Sequence, residues 1–478
     1  MAILDFRARS LPRPGTLAVS PANKERLAIV STSDRLCGIA TYTAALLQQL
    51  GDLFDITVFE LDQYLLRSMH PRLRKLGDCH IEEICRALPR YDAVNLQLEH
   101  GTLGRNAKDI CKRFGMLVAA APRLSVTFHT LFMPKPFDLP GASRALLKLQ
   151  FRTVGDIWTE YRRNAVLSVG VAGHLRRAQR RKQIAAIAHN RRDAHDLRYL
   201  YDLHNVLDHP LAFLSALDVE AIRSSSARSR FPVLENLPDR AKLIGVFGFL
   251  SQYKGFGTAV RALRQLPDDY HLLIFGGTHP NEIAPELPIH PYVSSLLDDA
   301  HANRSLYEHI TAERPGGAPL VLSVDHNLEA LVGPHPRDLS RRLHFMGALP
   351  DSEFLAGMAI CDAVVFPYLE VGQSASGPIS QALELGCRVI ASRTRAFLEF
   401  ARYHPERFDL FDIGNHVELA ARILARPQFP AARAKSAYDT ETNKAVYLRG
   451  NSSFARHEPT GRYSAPMHRD GSEEQLTS

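Results

Sequence analysis

Short apolar runs alternate with amphipathic segments along this chain, and the alternation occurs once in each half. Ten runs have the length and apolar content of buried strands: 27–30, 56–59, 93–96, 124–128 and 184–188 in the first half, and 243–247, 270–275, 343–346, 363–366 and 388–391 in the second. Runs of this kind, separated by helical patterns, predict parallel sheets with helices on both faces. Since 478 residues exceed what one core normally serves, we predict an α/β protein of two Rossmann-like, doubly wound domains that face a central cleft.

The domain limits are predicted from changes in composition along the chain. A polar stretch around Ser224 to Ala241 separates the two halves, so the N-terminal domain is predicted at 1–238 and the C-terminal domain at 239–430. From Asn451 onward the chain is polar and shows no apolar period, which predicts a disordered tail over 451–478.

The composition argues against several classes of protein. Hydrophobic residues make up 45% and charged residues 23%, which is typical of a globular chain. No apolar run approaches the roughly 18 residues of a membrane-spanning helix, and we expect no secretory signal because Met1 to Gly15 has no apolar stretch. The six cysteines are scattered without a CxxC pair, which argues against a disulfide framework or a zinc site and favours the reducing cytoplasm.

Basic residues are concentrated in one part of the chain, although the net charge is only +7. They are dense from Arg162 to Arg198, and just before them Leu146, Leu147, Leu149 and Phe151 follow a partly helical spacing. A basic, amphipathic segment favours peripheral contact with an anionic membrane, as at the inner face of a cell membrane. A solvated helix face is the alternative. Nucleic acid is disfavoured because no aromatic residues interleave with the basic ones.

Two loops that follow strands of the first half carry candidate ligand-binding residues. Gly38 lies between the first strand and a helix, where a glycine permits close backbone approach and the helix start offers N–H groups to an anion. His129 directly follows the run 124–128, and a histidine there can bind a sugar hydroxyl or carry a proton. Alternatively, Gly38 only allows a tight turn between strand and helix, and His129 is only a polar side chain whose hydrogen bonds are made within the protein.

Two loops of the second half predict an anion site. Lys254 lies in a loop bounded by Gly248 and Gly255, and a lysine at such a helix start can hold phosphate charge. Further along, Ser376 has the position of a helix cap, and the N–H groups near Ser376 and Gly377 are available to an anion. A solvated lysine and a helix start without a ligand are the alternatives left open.

The same segment, 370–386, contains candidate acceptors for hydroxyl groups, namely Glu370, Gln373, Gln381 and Glu384. Phosphate clamps, hydroxyl acceptors and a histidine that converge on one cleft predict a sugar-nucleotide ligand. No Asp-x-Asp follows a strand and no His/Cys cluster has metal spacing, so no metal or other cofactor is predicted.

Over roughly residues 25–450, these motifs together resemble family 4 of the glycosyltransferases, which has the GT-B fold of two Rossmann-like domains. The segment 37–42 resembles the glycine-rich first loop of that family, and 126–130 resembles the strand that ends in its cleft histidine. The segment 248–255 resembles its phosphate-binding loop, and 366–392 resembles its donor-binding segment. The combination is specific for the superfamily but not for the donor or the acceptor.

The resemblance implies a metal-independent, retaining hexosyltransferase of polysaccharide or glycan biosynthesis. Such an enzyme moves a sugar from a nucleoside diphosphate to a saccharide or lipid-linked acceptor held by the N-terminal domain. By resemblance the catalytic residues are His129, Lys254 and Gln373, and the donor-binding residues are Gly38, Lys254, Ser376, Gly377, Gln381 and Glu384. A helix over 431–450 is expected to cross back to the N-terminal domain.

The chain departs from the family pattern at three positions. Phe249 stands where the family has an arginine, and Gln373 and Gln381 stand where it has two glutamates. Glu384 is the candidate substitute for the second of these glutamates. A divergent or inactive sugar-nucleotide-binding protein, and a sugar-nucleotide epimerase on the same fold, are therefore alternatives to the transferase.

Overall fold

A computed structural model describes residues 24–33, 38–277, 291–300, 339–372, 374–425 and 436–453, and the fold is given for these residues. The first sheet contains β1 Glu25–Ser31, β2 Phe54–Glu60, β3 Ala93–Leu98, β4 Leu124–Phe128, β5 Ile184–Ala188 and β6 Val206–Asp208. The second contains β7 Lys242–Phe247, β8 Tyr270–Phe275, β9 Leu343–Gly347, β10 Ala363–Phe366, β11 Val389–Ser392 and β12 Asp409–Phe411. The strand orders are β2-β1-β3-β4-β5-β6 and β12-β11-β10-β7-β8-β9, and every pairing is parallel.

Helices connect the strands and cover both sheets. The first half contains α1 Gly38–Leu50, α2 Gln63–Leu66, α3 Pro71–Ala87, α4 His100–Leu103, α5 Ala107–Ala120, α6 Leu139–Leu147, α7 Phe151–Ala165, α8 Val171–Gln179 and α9 Arg191–Tyr199. The second half contains α10 Ala216–Ser225, α11 Phe256–Leu263, α12 Pro291–Ala300, α13 Asp351–Ile360, α14 Gly377–Glu384, α15 Arg395–Ala401, α16 His416–Leu424 and α17 Thr440–Asn451. None of the helices within these described ranges is long and apolar enough to cross a membrane.

The sheets confirm the predicted doubly wound α/β class. The central strands β3, β4 and β5 are buried at every residue, as are β10 and β11 in the second sheet, which is why most of their residues are apolar. The buried polar residues of β3 and β4 are Asn95, Gln97, Ser125 and Thr127, and their side chains hydrogen-bond to one another. All ten predicted runs are strands. The sequence reading missed β6 and β12, because each is a three-residue strand at a sheet edge.

The chain reaches the second sheet's helices before the polar stretch at 224–241. Directly after β6, the backbone N–H groups of Phe213 and Leu214 donate to the carboxylate of Glu384 on α14. Farther on, Arg223 of α10 donates to the carbonyl oxygen of Leu385 at 2.6 Å. Segment 209–225, which we call the joint, therefore already contacts the second lobe, and the domain limit at 238/239 stays a prediction.

The last described helix, α17, packs on the first lobe. Tyr447 shares a 2.9 Å hydrogen bond with Thr127 of β4, and the side-chain oxygen of Asn451 accepts from Ser125 at 2.7 Å. Asn451 is fully buried, so the start of the expected disordered tail belongs to the folded chain. The rest of that expectation, at 454–478, lies outside the described residues.

Candidate functional site

Three histidines lie side by side at the carboxyl end of the first sheet. Phe128 of β4 is in register with Ala188 of β5, which is in register with Asp208 of β6. The next residue of each strand is a histidine, so the parallel register brings His129, His189 and His209 together. We call these three residues the histidine row. The imidazole centroids of His129 and His189 are 5.1 Å apart.

Hydrogen bonds define the free nitrogen of two imidazoles in the row. The Gln97 amide donates to Asn95, so Gln97 Oε1 accepts from His129 Nε2–H at 2.8 Å, which leaves the lone pair on His129 Nδ1. His189 Nδ1–H donates to the carbonyl oxygen of His209 at 3.2 Å, and its buried Nε2 has no hydrogen-bond partner among the described residues. Both rings therefore present a lone pair that can accept a hydrogen bond from a hydroxyl group.

The histidine row is uncharged near neutral pH. Burial lowers the pKa of His189 and of His209 to about 4 each, and burial together with neighbouring His189 lowers the pKa of His129 well below its usual value. Within the described ranges no group of three or more His, Cys, Asp or Glu side chains could hold a metal ion. The row therefore offers neutral hydrogen-bonding groups.

The first loop meets the histidine row through a tyrosine. Gly38 begins α1, and a Cβ at this position would have no heavy atom within 4 Å, whereas residues 34–37 lie outside the described chain. Tyr42, one turn further, is buried, and its ring makes edge contacts with His129, His189 and Phe213 at centroid distances of 5.7, 5.4 and 5.4 Å. Gly38 thus opens a helix that is anchored on the row.

In the second lobe, Lys254 is buried at the carboxyl end of β7. Its ammonium lies 2.5 Å from the hydroxyl of Tyr368 and 3.9 Å from the centroid of that ring. Gly248 makes room for it: a Cβ there would lie 3.1 Å from Lys254 Cε, and the residue has a φ of 130° that side chains rarely adopt. Burial lowers the pKa of Lys254, opposed by the neighbouring Tyr253.

Tyr368 connects this lysine to the start of α14. Its hydroxyl lies 3.2 Å from Ser376 Oγ, and Ser376 is the N-cap residue of α14, as predicted. The Ser376 side chain makes no cap hydrogen bond to the helix, because its hydroxyl is turned toward Tyr368. The N–H groups of Gly377 and Ile379 in the first turn of α14 therefore remain uncapped by Ser376, whereas Pro378 between them has no N–H.

The other predicted residues of this segment have different surroundings. Gln373 lies outside the described residues. Gln381 is buried on α14, and its amide makes no hydrogen bond to a described residue. Glu384 accepts the N–H groups of Phe213 and Leu214 at 2.8 and 3.1 Å, one on each oxygen, so its carboxylate is bound to the joint; its role as an acceptor for ligand hydroxyl groups stays a prediction. Desolvation raises the pKa of Glu384 to about 8.

The two lobes meet between these half-sites. Asn190, the residue after His189, donates from its side chain to the carbonyl oxygen of Ser374 at 3.0 Å. The ring of Phe213 lies 3.2 Å from where a Cβ of Gly377 would be, and it also contacts Tyr42. Continuous contacts therefore run from Lys254 through α14 and Phe213 to the histidine row.

Sequence reasoning missed His189, His209 and Tyr368. The signals were present, since His189 follows a recognised strand run and Tyr368 follows Phe366-Pro367 at the end of another. His209 follows β6, which was itself missed. The site joins residues that are far apart in sequence, so their proximity became visible only with the strand register.

Comparison with known proteins shows which fold this is. No family model and no curated protein matches the chain. Among solved structures, it is similar to Anabaena Alr3699/HepE in complex with UDP, with 16% identity, 89% of this chain and 98% of that chain covered, and a TM-score of 0.51. It is also similar to α,α-trehalose-phosphate synthases from Burkholderia xenovorans, described as UDP-forming, and Burkholderia multivorans, with 10% and 11% identity and TM-scores of 0.55 and 0.54.

Each trehalose-phosphate synthase comparison covers 89% of this chain and 98% of the other. Because the identities are low, the likeness bears on the fold and not on residue roles. These neighbours are GT-B glycosyltransferases, and two parallel six-stranded sheets with flanking helices are the architecture that they share with this protein. The chain therefore has the GT-B fold, as its sequence motifs predicted.

Proposed function

We propose that this protein is a retaining glycosyltransferase that moves a hexose from a nucleoside diphosphate sugar to a saccharide or lipid-linked acceptor, in polysaccharide or glycan biosynthesis in the cytoplasm. One observation carries the proposal. A buried lysine, Lys254, is joined through Tyr368 to the uncapped N-terminus of α14, and contacts continue from there to the neutral histidine row. The first feature suits a diphosphate, and the second suits sugar hydroxyl groups.

The diphosphate would lie against Lys254 and the first turn of α14. An ammonium and free backbone N–H groups are the donors that bind phosphate oxygens best, and a partly buried site strengthens both interactions. Although burial lowers the pKa of Lys254, a bound diphosphate favours the charged ammonium. Groups fixed in this way stabilise the negative charge that grows on the leaving diphosphate.

The sugar would lie toward the histidine row. His129 Nδ1 and His189 Nε2 each have a lone pair, and the hydroxyl groups of a hexose or of the acceptor are suitable donors to them. Gln381 would bind the ribose, and Gln373 the donor sugar. Both glutamines replace carboxylates of the family pattern, and an amide can still accept a hydroxyl hydrogen bond.

Transfer would follow front-face substitution without a metal ion. The bond between the anomeric carbon and the diphosphate oxygen breaks while the acceptor hydroxyl adds to the same face of the sugar. The acceptor's proton passes to the leaving diphosphate, so the products are a glycoside of unchanged anomeric configuration and a nucleoside diphosphate. The protein contributes position and charge stabilisation; neutral His129 and His189 orient hydroxyl groups and do not remove the proton.

A thermal-shift panel of nucleoside diphosphate sugars tests the proposal first. A ligand present at about 100 times its Kd adds about 2.7 kcal/mol to the unfolding free energy, so the right donor raises the Tm distinctly. That donor is then incubated with candidate acceptors and followed by NMR of the anomeric proton. A new glycoside with retained configuration supports the proposal. Conversion of donor alone to an epimer, or binding without turnover on any acceptor, would replace it with one of the alternative functions.

A further inference from the structure

The loop between α6 and α7 exposes large apolar side chains. Leu147, Leu149 and Phe151 are 86%, 73% and 67% exposed, and neighbouring Leu146 is 49% exposed. Single exposed apolar residues are ordinary, but four within six positions form a contiguous patch, and such patches mark interaction sites. We call residues 144–153 the hairpin tip. The sequence shows a partly helical spacing here, and in the structure the chain turns back between Leu147, which ends α6, and Phe151, which begins α7.

The hairpin stands away from the core in the described part of the structure. Of the fifteen residues of α7, Asn164 alone is buried, and α6 buries just Ala142 and Ala145. The two helices therefore contact each other and leave the tip to solvent. A side chain that served folding would lie against the lobe, so the apolar residues of the tip have another use.

The turn between α6 and α7 places Leu149 in a backbone conformation that leucine rarely adopts. Leu149 has a φ of 55°, in the left-handed region where glycine or asparagine is preferred. The turn is well defined, because Leu149 N–H donates to the Leu146 carbonyl oxygen and Gln150 N–H donates to that of Ala145, both at 2.9 Å. A leucine at this position holds an exposed apolar group on a rigid support at some cost in stability.

Charge selects the partner of the tip. Arg144, Lys148 and Arg152 lie among the apolar residues, and no acidic residue occurs between Asp138 and Asp156. Two copies of the chain would bring like charges together at this surface, which disfavours self-association. The tip therefore needs a partner that is both apolar and anionic. The interfacial region of a bilayer that contains acidic lipids has both properties.

We propose that the hairpin tip docks the protein on an anionic lipid bilayer, with Leu147, Leu149 and Phe151 entering the headgroup region and the three cations contacting lipid phosphates. The stretch from Arg162 to Arg198, which the sequence suggested for this role, is less suitable. Its members Lys182, Arg191 and Arg198 donate hydrogen bonds within the protein. The chain runs to the tip from β4, the strand that ends at His129, so docking would bring the first lobe to the membrane. That link to a lipid-linked acceptor rests on the function proposed above.

Vesicle flotation of the full chain tests the docking. Pure phosphatidylcholine vesicles are compared with vesicles that also contain phosphatidylglycerol, and no donor or acceptor is present. Trp158 is the only tryptophan of the chain, is 51% exposed and lies two turns from the tip on α7, so its emission reports binding independently. We expect flotation, and a blue shift of the emission, with the anionic vesicles.

Two sets of variants separate the contributions at the tip. The triple variant R144Q/K148Q/R152Q is expected to lower partitioning about 100-fold, since each cation near an anionic surface contributes about fivefold. Leu147→Ser combined with Phe151→Ser is expected to lower it about tenfold or more, from lost apolar burial. Leu217→Ser removes a leucine of α10 that is 80% exposed and is expected to float like the wild type. All these side chains are exposed, and circular dichroism checks that each variant is folded.

Three results would overturn the docking proposal: no flotation of the wild type with anionic vesicles, equal flotation of the tip variants, or a tip-dependent dimer that does not bind lipid. The outcome is independent of catalysis. Flotation together with absent glycosyl transfer would leave docking intact and refute the proposed function. Glycosyl transfer to a soluble acceptor without flotation would refute docking and leave the proposed function intact.

Discussion

Replacing Lys254 with methionine separates binding of a diphosphate from folding. In the wild type the ammonium lies 2.5 Å from the Tyr368 hydroxyl, and that hydroxyl also lies 3.2 Å from Ser376 Oγ. Methionine fills the space beside Gly248 and leaves the Tyr368 hydroxyl paired with Ser376, so no buried polar group loses its last partner. We therefore expect the free energy of unfolding to change by no more than about 1 kcal/mol.

Ligand binding should respond differently to the same substitution. A hydrogen bond from a charged donor contributes about 1.5–3 kcal/mol, so the Lys254→Met variant should bind the best nucleoside diphosphate of the panel about 10- to 150-fold more weakly. Binding of the corresponding nucleoside, which lacks the phosphates, should be unchanged. Isothermal titration calorimetry with both ligands, together with urea denaturation, measures these quantities.

Lys182→Met is the matched control. Lys182 is a half-buried lysine of the first lobe that donates to the carbonyl oxygens of Val118 and Ala121. Its loss should lower the free energy of unfolding by about 1–3 kcal/mol and leave diphosphate affinity unchanged. Equal affinity of the Lys254→Met variant and the wild type for the diphosphate would refute the role given to Lys254, and equal weakening of nucleoside binding would indicate general disruption.

Further predictions follow from the buried titratable groups and the tight turn. Because the pKa of Glu384 rises from 4.5 to about 8 on folding, the wild type should lose unfolding free energy as pH rises from about 4.5 to about 8, by at most about 1.4 kcal/mol per pH unit, and Glu384→Gln should remove this slope in urea titrations. Because burial lowers the pKa of His189 to about 4, stability should fall as pH drops from about 6.5 toward 4, less so in His189→Gln. His129→Ala should weaken binding of the intact donor but not of the nucleoside diphosphate. Gly248→Ala should displace Lys254 and lower both diphosphate affinity and the free energy of unfolding, the latter by about 1–2 kcal/mol.

Each of these has a contrary outcome. Identical pH slopes for the wild type and Glu384→Gln would mean that Glu384 does not change its protonation on folding, and the same comparison applies to His189→Gln in acid. If His129→Ala lost as much affinity for the nucleoside diphosphate as for the intact donor, His129 would not be a sugar-binding residue. Wild-type affinity and stability in Gly248→Ala would show that the turn accepts a side chain.

The fold was predictable because its strands are buried on both faces. Ile184–Ala188 contains no exposed residue and is apolar throughout, Ala93–Leu98 is apolar except for the hydrogen-bonded Asn95 and Gln97, and parallel strands require the helices between them. Lys254 and Ser376 were predictable for a related reason: ligands of doubly wound sheets bind at the carboxyl ends of strands, and both residues follow strands.

Other parts of the site depend on contacts that no local pattern encodes. Glu384 also accepts two N–H groups of the joint after β6, a contact that no local pattern predicts because β6 was too short to be recognised. His189 became significant only when the register placed it beside His129. At the hairpin tip, the spacing was only partly helical, and the left-handed turn at Leu149 was not predicted, because a leucine carries no local signal for that conformation.

The most direct test of the central claim is an incubation of the protein with a ¹³C-labelled nucleoside diphosphate hexose and an acceptor, followed by NMR. The account predicts that nucleoside diphosphate and a new labelled glycoside appear in equal amounts, with the anomeric configuration of the donor. The rate should fall about 100-fold in the Lys254→Met variant. Inversion at the anomeric carbon would contradict the proposed mechanism, and full turnover by the Lys254→Met variant would contradict the proposed site.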